Sequence, residues 1–406
     1  MTLKLGIIKE GKNPPDKRVP FTPEQCLKIK DTFPGVEVFV QSSNVRCFTD
    51  EQYSICGINV VNDVSHCDVL MGIKEVPVAD LIPNKTYFFF SHTIKEQPHN
   101  QKLMRALLEK NIRMVDYETI TSSAGGRIIG FGRYAGIVGT YNAFRLYGER
   151  SGLFKLKPAH ACYDRKELEE ELKKVVLPET YKIVVTGAGR VGSGCLEILN
   201  TMGLHHVSPT DFLKRVYTEP VFTQLHVGDY NKTKSGELFI ADEFYNDPTE
   251  FDSDFMKYAR VANMYIPCHF WDNRSPQILT AEQIADPSFK LDIIADISCD
   301  ITEPIASTIR ATTIDEPFFG YDKTTGKEVS HLDKKAVGVM AVDNLPCELP
   351  RDSSKDFGKV LIDKILPVLT GNDPDEIIER ATICKNGKLT NRFSYLQDYA
   401  SGKISV

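Results

Sequence analysis

Apolar residues recur along this chain in short runs, separated by stretches in which they return every three or four positions, the alternation of an α/β fold. The run Val36-Glu37-Val38-Phe39-Val40 alternates with period two and predicts a half-buried strand, and Met1 to Lys9 opens the chain with a short strand-like run. Val69 to Ile73, Thr86 to Phe90 and Ile112 to Asp116 predict three more strands. Helical stretches lie among them from Pro23 to Phe33 and from Asn100 to Lys110, the latter with Leu103, Leu107 and Leu108 on one face. The first ~110 residues thus read as an α/β domain of their own.

A helical pattern from Gly136 to Gly152 leads out of that domain. The charged segment Arg165 to Lys174 reads as a solvated helix, with Lys166/Glu170, Glu169/Lys173 and Glu170/Lys174 at i,i+4 spacing. Strands follow at Ile183 to Thr186, Val261 to Ile266, Leu291 to Ile297 and Ala336 to Val342. Residues 212–258, polar and rich in aromatics, read as an insertion between strands. After Pro350 a helical pattern through Val360 to Leu366 returns the chain to the first domain.

Directly after Ile183 to Thr186 stands Gly187-Ala188-Gly189-Arg190-Val191-Gly192, opening the helical stretch Cys195 to Leu199. In this context the first glycine permits a tight strand-to-helix turn, the second lets a pyrophosphate approach the backbone, and the third lets helix and strand pack closely. The N-terminus of the helix then offers free N–H groups to phosphates. Asp211, nineteen residues past Gly192, stands where the second strand should end. A carboxylate there accepts hydrogen bonds from the adenosine ribose and repels a 2′-phosphate, which favours NAD. Lys214 and Arg215 follow closely and keep NADP open.

The expected architecture is α/β, with two Rossmann-like domains built on parallel sheets and an active site in the cleft between them. Residues 1–140, completed by 346–406, form the substrate and catalytic domain. Residues 141–345 form the NAD-binding domain.

Composition narrows the partners. With 406 residues, 42% apolar and 26% charged, the chain has the balance of a soluble globular protein of two domains. A net charge of -6 gives no basic surface for nucleic acid or anionic lipid. No apolar run approaches the ~20 residues of a membrane helix, and the N-terminus lacks the apolar stretch of a signal peptide. Small molecules are therefore the expected partners, and the cytoplasm the expected location; the oligomeric state is left open. The ten cysteines lack metal-ligand spacing, and Cys195, Cys268 and Cys299 lie in or beside apolar runs, as reduced core thiols do.

Acid, base and substrate anchors should come from the domain that does not hold the cofactor. Four stretches there carry suitable groups. Arg18, just before a helix that Pro23 can open, offers a guanidinium able to grip a carboxylate through two parallel hydrogen bonds. Lys74 and Glu75 end one apolar strand and His92 another, and strand ends are where open α/β sheets gather ligands. His92 is the natural proton shuttle near neutral pH. Asp116-Tyr117-Glu118, with Arg127 and Phe131 to Gly136 beyond it, makes the fourth.

Taken in order, these stretches resemble the alanine dehydrogenase and transhydrogenase superfamily over nearly the whole chain. Phe90 to Lys95, Phe131 to Gly136, Asp296 to Asp300 and Val342 to Pro346 look most like its saccharopine branch, the lysine-forming saccharopine dehydrogenases and the lysine-ketoglutarate reductase domain. Trp271 to Pro276 and the insertion are more similar to the reductase domain. Pro20-Phe21 and Ile301-Thr302-Glu303 depart from alanine dehydrogenases, so alanine is disfavoured as substrate.

The resemblance implies a reversible, NAD-dependent conversion of saccharopine to lysine and 2-oxoglutarate, with Lys74 and His92 as acid and base. It implies that Arg18, Glu75, Lys95, Glu118 and Arg127 bind substrate, with Asp300 and Asp343 near the nicotinamide or the substrate amine. Asn344 and Leu345 join Gly187, Gly189, Arg190, Val191, Gly192 and Asp211 at the cofactor. An alanine dehydrogenase-like oxidoreductase and a non-catalytic NAD-binding regulatory protein are the alternatives.

Overall fold

Six strands form where the first 131 residues carry short apolar runs: β1 (Leu3–Ile7), β2 (Val36–Gln41), β3 (Asn59–Val61), β4 (Val69–Met71), β5 (Thr86–Phe89) and β6 (Arg113–Asp116). In β2 the alternation of the sequence is kept, with Val36, Val38 and Val40 buried. β4 is buried at every position, as a parallel strand covered on both faces must be. The computed structural model describes residues 2–403, so Met1 of the opening run lies outside the described residues. The Pro23–Thr32 helix starts on a capping box, Thr22 Oγ1 accepting from the Gln25 N–H and the Gln25 side chain from the Thr22 N–H.

Ten strands follow in residues 132–349: β7 (Lys182–Thr186), β8 (His205–His206), β9 (Val221–Leu225), β10 (Asn231–Thr233), β11 (Phe251–Ser253), β12 (Met264–Pro267), β13 (Ile293–Ala295), β14 (Phe318–Tyr321), β15 (Glu328–Val329) and β16 (Val337–Met340). Eight of them form one sheet in the order β15-β14-β16-β13-β12-β7-β9-β8. The run from β16 to β8 is parallel, while β14 and β15 pair antiparallel at one edge. β10 and β11 make a separate antiparallel ribbon.

The last part of the chain adds β17 (Thr382–Lys385) and β18 (Lys388–Leu389) to the first sheet, whose order is β18-β17-β6-β5-β4-β1-β2-β3. β17 runs antiparallel to β6, so both sheets are parallel with antiparallel edges. Before it, the Pro350–Val360 helix widens into a π-turn at Leu361–Ile365 and buries Phe357, Leu361 and Ile365 in the first core.

By contact, the chain divides into Met1–Phe131 with Pro350–Val406, and Gly132–Leu349. The break at Phe131/Gly132 gives the whole Gly132–Ser151 helix to the second unit, including residues 132–140 expected in the first. Two glycines account for this. A Cβ on Gly136 would come within 2.0 Å of the Val191 carbonyl oxygen, and one on Gly194 within 1.9 Å of the Arg133 oxygen, so this helix and Arg190–Thr201 touch backbone to backbone. Arg133 then forks onto Glu197 at 2.6 and 2.8 Å.

Two expectations are corrected. The stretch 212–258 is not wholly an insertion: β9 lies inside it and pairs directly with β7, leaving only the β10/β11 ribbon and its flanks as an excursion. On the Arg165–Leu172 helix, Arg165 pairs with Glu169, and Lys173 and Lys174 pair three residues back with Glu170 and Glu171.

Candidate active site

In the first unit, β6, β5, β4 and β1 are neighbours and all parallel, with Met71 level with Ile7 and Phe88, so their carboxyl ends lie side by side. This brings residues far apart in sequence into one cluster. Glu10, past β1, accepts the N–H groups of Ile73 at 2.6 Å and Lys74 at 3.0 Å, past β4. His92, past β5, has a left-handed backbone (φ 51°), and its Nδ1 lies 2.5 Å from Glu75 Oε1. The other Glu75 oxygen accepts from Lys12 Nζ at 2.9 Å. Buried Asp116, at the end of β6, accepts from the Ser91 N–H and hydroxyl and from the Glu118 N–H, so one carboxylate sets both following loops.

The charges act on one another. Burial, then the Arg18 and Lys12 cations, lower the Lys74 ammonium below its ordinary range, with Asp16 and Glu75 opposing. Burial alone would raise the Glu75 carboxyl, but hydrogen bonds from His92 and Lys12 outweigh it and bring it to about 2. Glu10 is pushed up to about 8 by burial and by the Asp16 carboxylate, against its two backbone hydrogen bonds.

Arg18 is buried and already forked: its Nε and Nη2 donate to the two Asp16 oxygens at 3.0 and 2.6 Å. The bidentate grip expected on a substrate carboxylate is thus made within the protein, because an acid two residues earlier in the same loop reaches the guanidinium first. The Phe131 ring lies 4.1 Å from the guanidinium and stacks on Phe357 at 4.4 Å. Glu118 holds Lys95 at 3.4 Å and Arg127 at 3.0 Å, so these two exposed cations share one anion.

In the second unit the glycine loop fits a dinucleotide by what it leaves out. Gly187 has φ 94°, and a Cβ there would lie 2.6 Å from the Cys268 oxygen. A Cβ on Gly192 would lie 2.3 Å from the Gly187 oxygen. On Gly189 it would meet nothing within 4 Å, so that backbone stands open to a pyrophosphate at the start of the Arg190–Thr201 helix. Arg190 is exposed there and Val191 half-buried.

Asp211 is elsewhere. It lies in the first turn of the Pro209–Lys214 helix and pairs with Arg215 at 2.9 Å. Lys182, the first residue of β7, donates to the carbonyls of Phe212 and Arg215 at 2.6 and 2.9 Å. That helix therefore sits beside the beginning of β7, whereas the glycine loop springs from its end. The spacing from Gly192 matched the expected acid, but the intervening chain enters the outer strand β8 rather than the one beside β7.

Past β13, Asp300 is exposed in a loop with Cys299 at φ 54°, and with Trp271, Arg274 and Glu303 it lines an open cavity of about 560 Å³. Past β16, Asp343 is exposed and the Asn344 amide donates to Cys347 Sγ at 2.8 Å. The Leu345 side chain is buried in the core against Ile297 and Gly139, which leaves only its backbone for a ligand. Buried Asp296 accepts from Ser298, Cys299 and Thr308 and shapes the Asp300 loop.

Glu10, Lys12 and Asp16 were not singled out from the sequence, and Asp116 and Asp296 stood there only within longer stretches. Asp16 was the most findable of them, since an acid two residues before an arginine shares its loop.

Residues 6–138 match the family model described as alanine dehydrogenase/PNT, N-terminal domain. The chain is 28% identical over 441 residues to an alpha-aminoadipic semialdehyde synthase of Arabidopsis thaliana, aligning 97% of itself with 41% of that protein. It is 28% identical to the mitochondrial alpha-aminoadipic semialdehyde synthase of Bos taurus, again over 97% of itself and 47% of the relative. The chain therefore spans less than half the length of these two relatives. To a saccharopine dehydrogenase (NAD(+), L-lysine-forming) of Emericella nidulans it is 26% identical, over 89% of itself and 91% of that protein. Among solved structures, an L-alanine dehydrogenase superimposes with a TM-score of 0.64 at 15% identity, covering 98% of this chain and 99% of that one. A transhydrogenase from Sinorhizobium meliloti gives 0.61 at 14%, covering 95% and 98%. The fold is accordingly α/β with two Rossmann-like domains.

Proposed function

We propose, from the match of residues 6–138 to the alanine dehydrogenase/PNT N-terminal domain model, that the chain is an NAD-dependent oxidoreductase of the saccharopine dehydrogenase type, acting on a CH–NH group. The reaction is reversible: saccharopine, NAD and water give lysine, 2-oxoglutarate, NADH and a proton. The observation that carries this reading is the group at the strand ends, a buried lysine whose ammonium form is disfavoured and, one residue on, the Glu75 carboxylate that holds the His92 imidazole.

Lys74, in its neutral form, takes the proton of the secondary amine as the C–N bond is oxidised to the imine. A nicotinamide held by the glycine loop would supply the acceptor for the hydride lost from the carbon of that bond. His92, oriented by Glu75, then removes a proton from the water that adds to the imine carbon while Lys74 returns its proton to the nitrogen; as the carbinolamine breaks, His92 gives its proton to the departing lysine amine and Lys74 takes the hydroxyl proton, which leaves to solvent as the 2-oxoglutarate carbonyl forms. Lys95 and Arg127 supply positive charge to the substrate carboxylates, and Arg18, locked on Asp16, acts on the Lys74 proton through its field. Gly187, Gly189 and Gly192 would hold the dinucleotide phosphates. Asp300, Asp343 and the Asn344–Leu345 backbone would serve the nicotinamide end.

Steady-state assays test the reading. NADH is expected to be consumed only when lysine and 2-oxoglutarate are both present, and turnover with pyruvate and ammonia in their place would overturn the substrate in favour of alanine dehydrogenase chemistry.

A further inference from the structure

The strand hydrogen-bonded beside β7 is β9, and β8 lies outside it. This changes where an acid can meet the adenosine end of a dinucleotide. In open α/β sheets the ligand lies outside the carboxyl ends of the strands, where strand order reverses, and the ribose-binding acid ends the strand next to the glycine loop. Here β9 and β12 flank β7 on its two sides. Thr186 is level with Leu225, the Gly187 N–H donates to the Leu225 oxygen at 3.1 Å, and Gln224 Nε2 donates to the Gly187 oxygen at 2.9 Å. The residue after Leu225 therefore stands level with the first glycine.

That residue is His226, and its N–H donates to Asp229 Oδ2 at 2.7 Å. The Asp229 N–H donates back to the His226 carbonyl at 2.8 Å. This tight turn folds the Asp229 carboxylate back onto the end of β9, where Asp229 is half-buried. Phe239 closes the turn from behind, since a Cβ on Gly228 would lie 2.8 Å from its ring.

We propose that Asp229 accepts hydrogen bonds from the ribose hydroxyls of the adenosine half of the dinucleotide and, by its charge, discriminates against a 2′-phosphate. The proposal rests on the dinucleotide-enzyme reading above. Asp211, Lys214 and Arg215, which the spacing offered for this task, belong to the helix beside the other end of β7 and take no part in it.

Equilibrium binding of NADH and NADPH to the full chain, followed by nicotinamide fluorescence, tests this. The unaltered chain is expected to bind NADH at least about tenfold more tightly than NADPH, and Asp229→Ala to weaken NADH by about tenfold, the cost of lost charge-assisted hydrogen bonds. Asp229→Asn keeps an acceptor for the His226 N–H, and so the turn, while removing the charge. It is expected to retain NADH binding to within a few-fold and to gain affinity for NADPH. Asp211→Ala is expected to leave both affinities unchanged. Folded Asp229 variants with unaltered affinity for both dinucleotides, or loss of NADH binding in Asp211→Ala, would overturn the assignment. Failure of the unaltered chain to bind either dinucleotide would instead remove the dinucleotide reading itself, and the proposal with it.

Discussion

At the ends of β1, β4, β5 and β6 the first unit crowds charged side chains together, whereas at the end of β7 the second unit leaves side chains out. Lys12, Glu75 and His92 form a chain of contacts, Arg18 is forked on Asp16, and Glu118 joins Lys95 to Arg127. Around the glycine loop the decisive positions are those where a Cβ would strike backbone, at Gly136, Gly187, Gly192 and Gly194, and the one where it would strike nothing, Gly189. One region tunes proton affinity by mutual charge; the other makes room by omission. The first should therefore be sensitive to neutralising a side chain, and the second to adding one.

The largest effect is expected from adding atoms. Gly194→Ala places a methyl group 1.9 Å from the Arg133 oxygen, and its neighbours are backbone that can yield only by parting the two helices. The cost is about 3 kcal/mol or more, read as a collapse of the melting temperature. Gly189→Ala should leave the melting temperature nearly unchanged and weaken only dinucleotide binding. If both variants melt alike, the contrast drawn for the second unit fails.

Next comes the loss of a base. Lys74→Met should lower kcat by about 10²- to 10⁴-fold, the usual contribution of a positioned acid or base, while NADH affinity stays as it was. A matching loss of NADH binding would show that the two regions are not separable in this way.

The smaller effects concern pH. Glu75 titrates near 2 in the folded protein against an ordinary 4.5, so its contribution to stability is present above about pH 4.5 and is lost as pH falls towards 2. Glu75→Gln should lose that part of the acid limb of a stability profile. Glu10 has the opposite sign: with its carboxyl raised from 4.5 to about 8, the folded state holds a proton that the unfolded chain has released, so stability declines as pH rises across that window. Glu10→Gln should flatten the decline in denaturant titrations at successive pH values.

Much of this was legible in the chain, for a physical reason. Short apolar runs ending in Lys74-Glu75, Ser91-His92 and Asp116-Tyr117-Glu118 mark strand ends, and parallel strands bring such ends together whatever their distance in sequence. The β9 strand was hidden because Val221-Phe222-Thr223-Gln224-Leu225 carries two polar residues and stands between Glu219-Pro220 and His226, so it reads as part of a polar insertion. Only its hydrogen bonds to β7 reveal it. Asp211 misled for a related reason: spacing counts residues along the chain, and the acid that matters is set by which strand pairs beside the glycine loop. Glu10 lies in Lys9-Glu10-Gly11-Lys12, a pattern that looks solvated until two backbone N–H groups from another strand end are found on its carboxylate.

In the proposed reaction Lys74 and His92 together perform the proton transfers of a saccharopine-type oxidation. The most direct test is kcat/KM for NADH oxidation with lysine and 2-oxoglutarate in the unaltered chain and in the Lys74→Met, His92→Gln double variant, each checked for NADH binding. Turnover should require both substrates and be lost in the double variant with binding intact; unchanged turnover in that variant would rule out these two residues as acid and base.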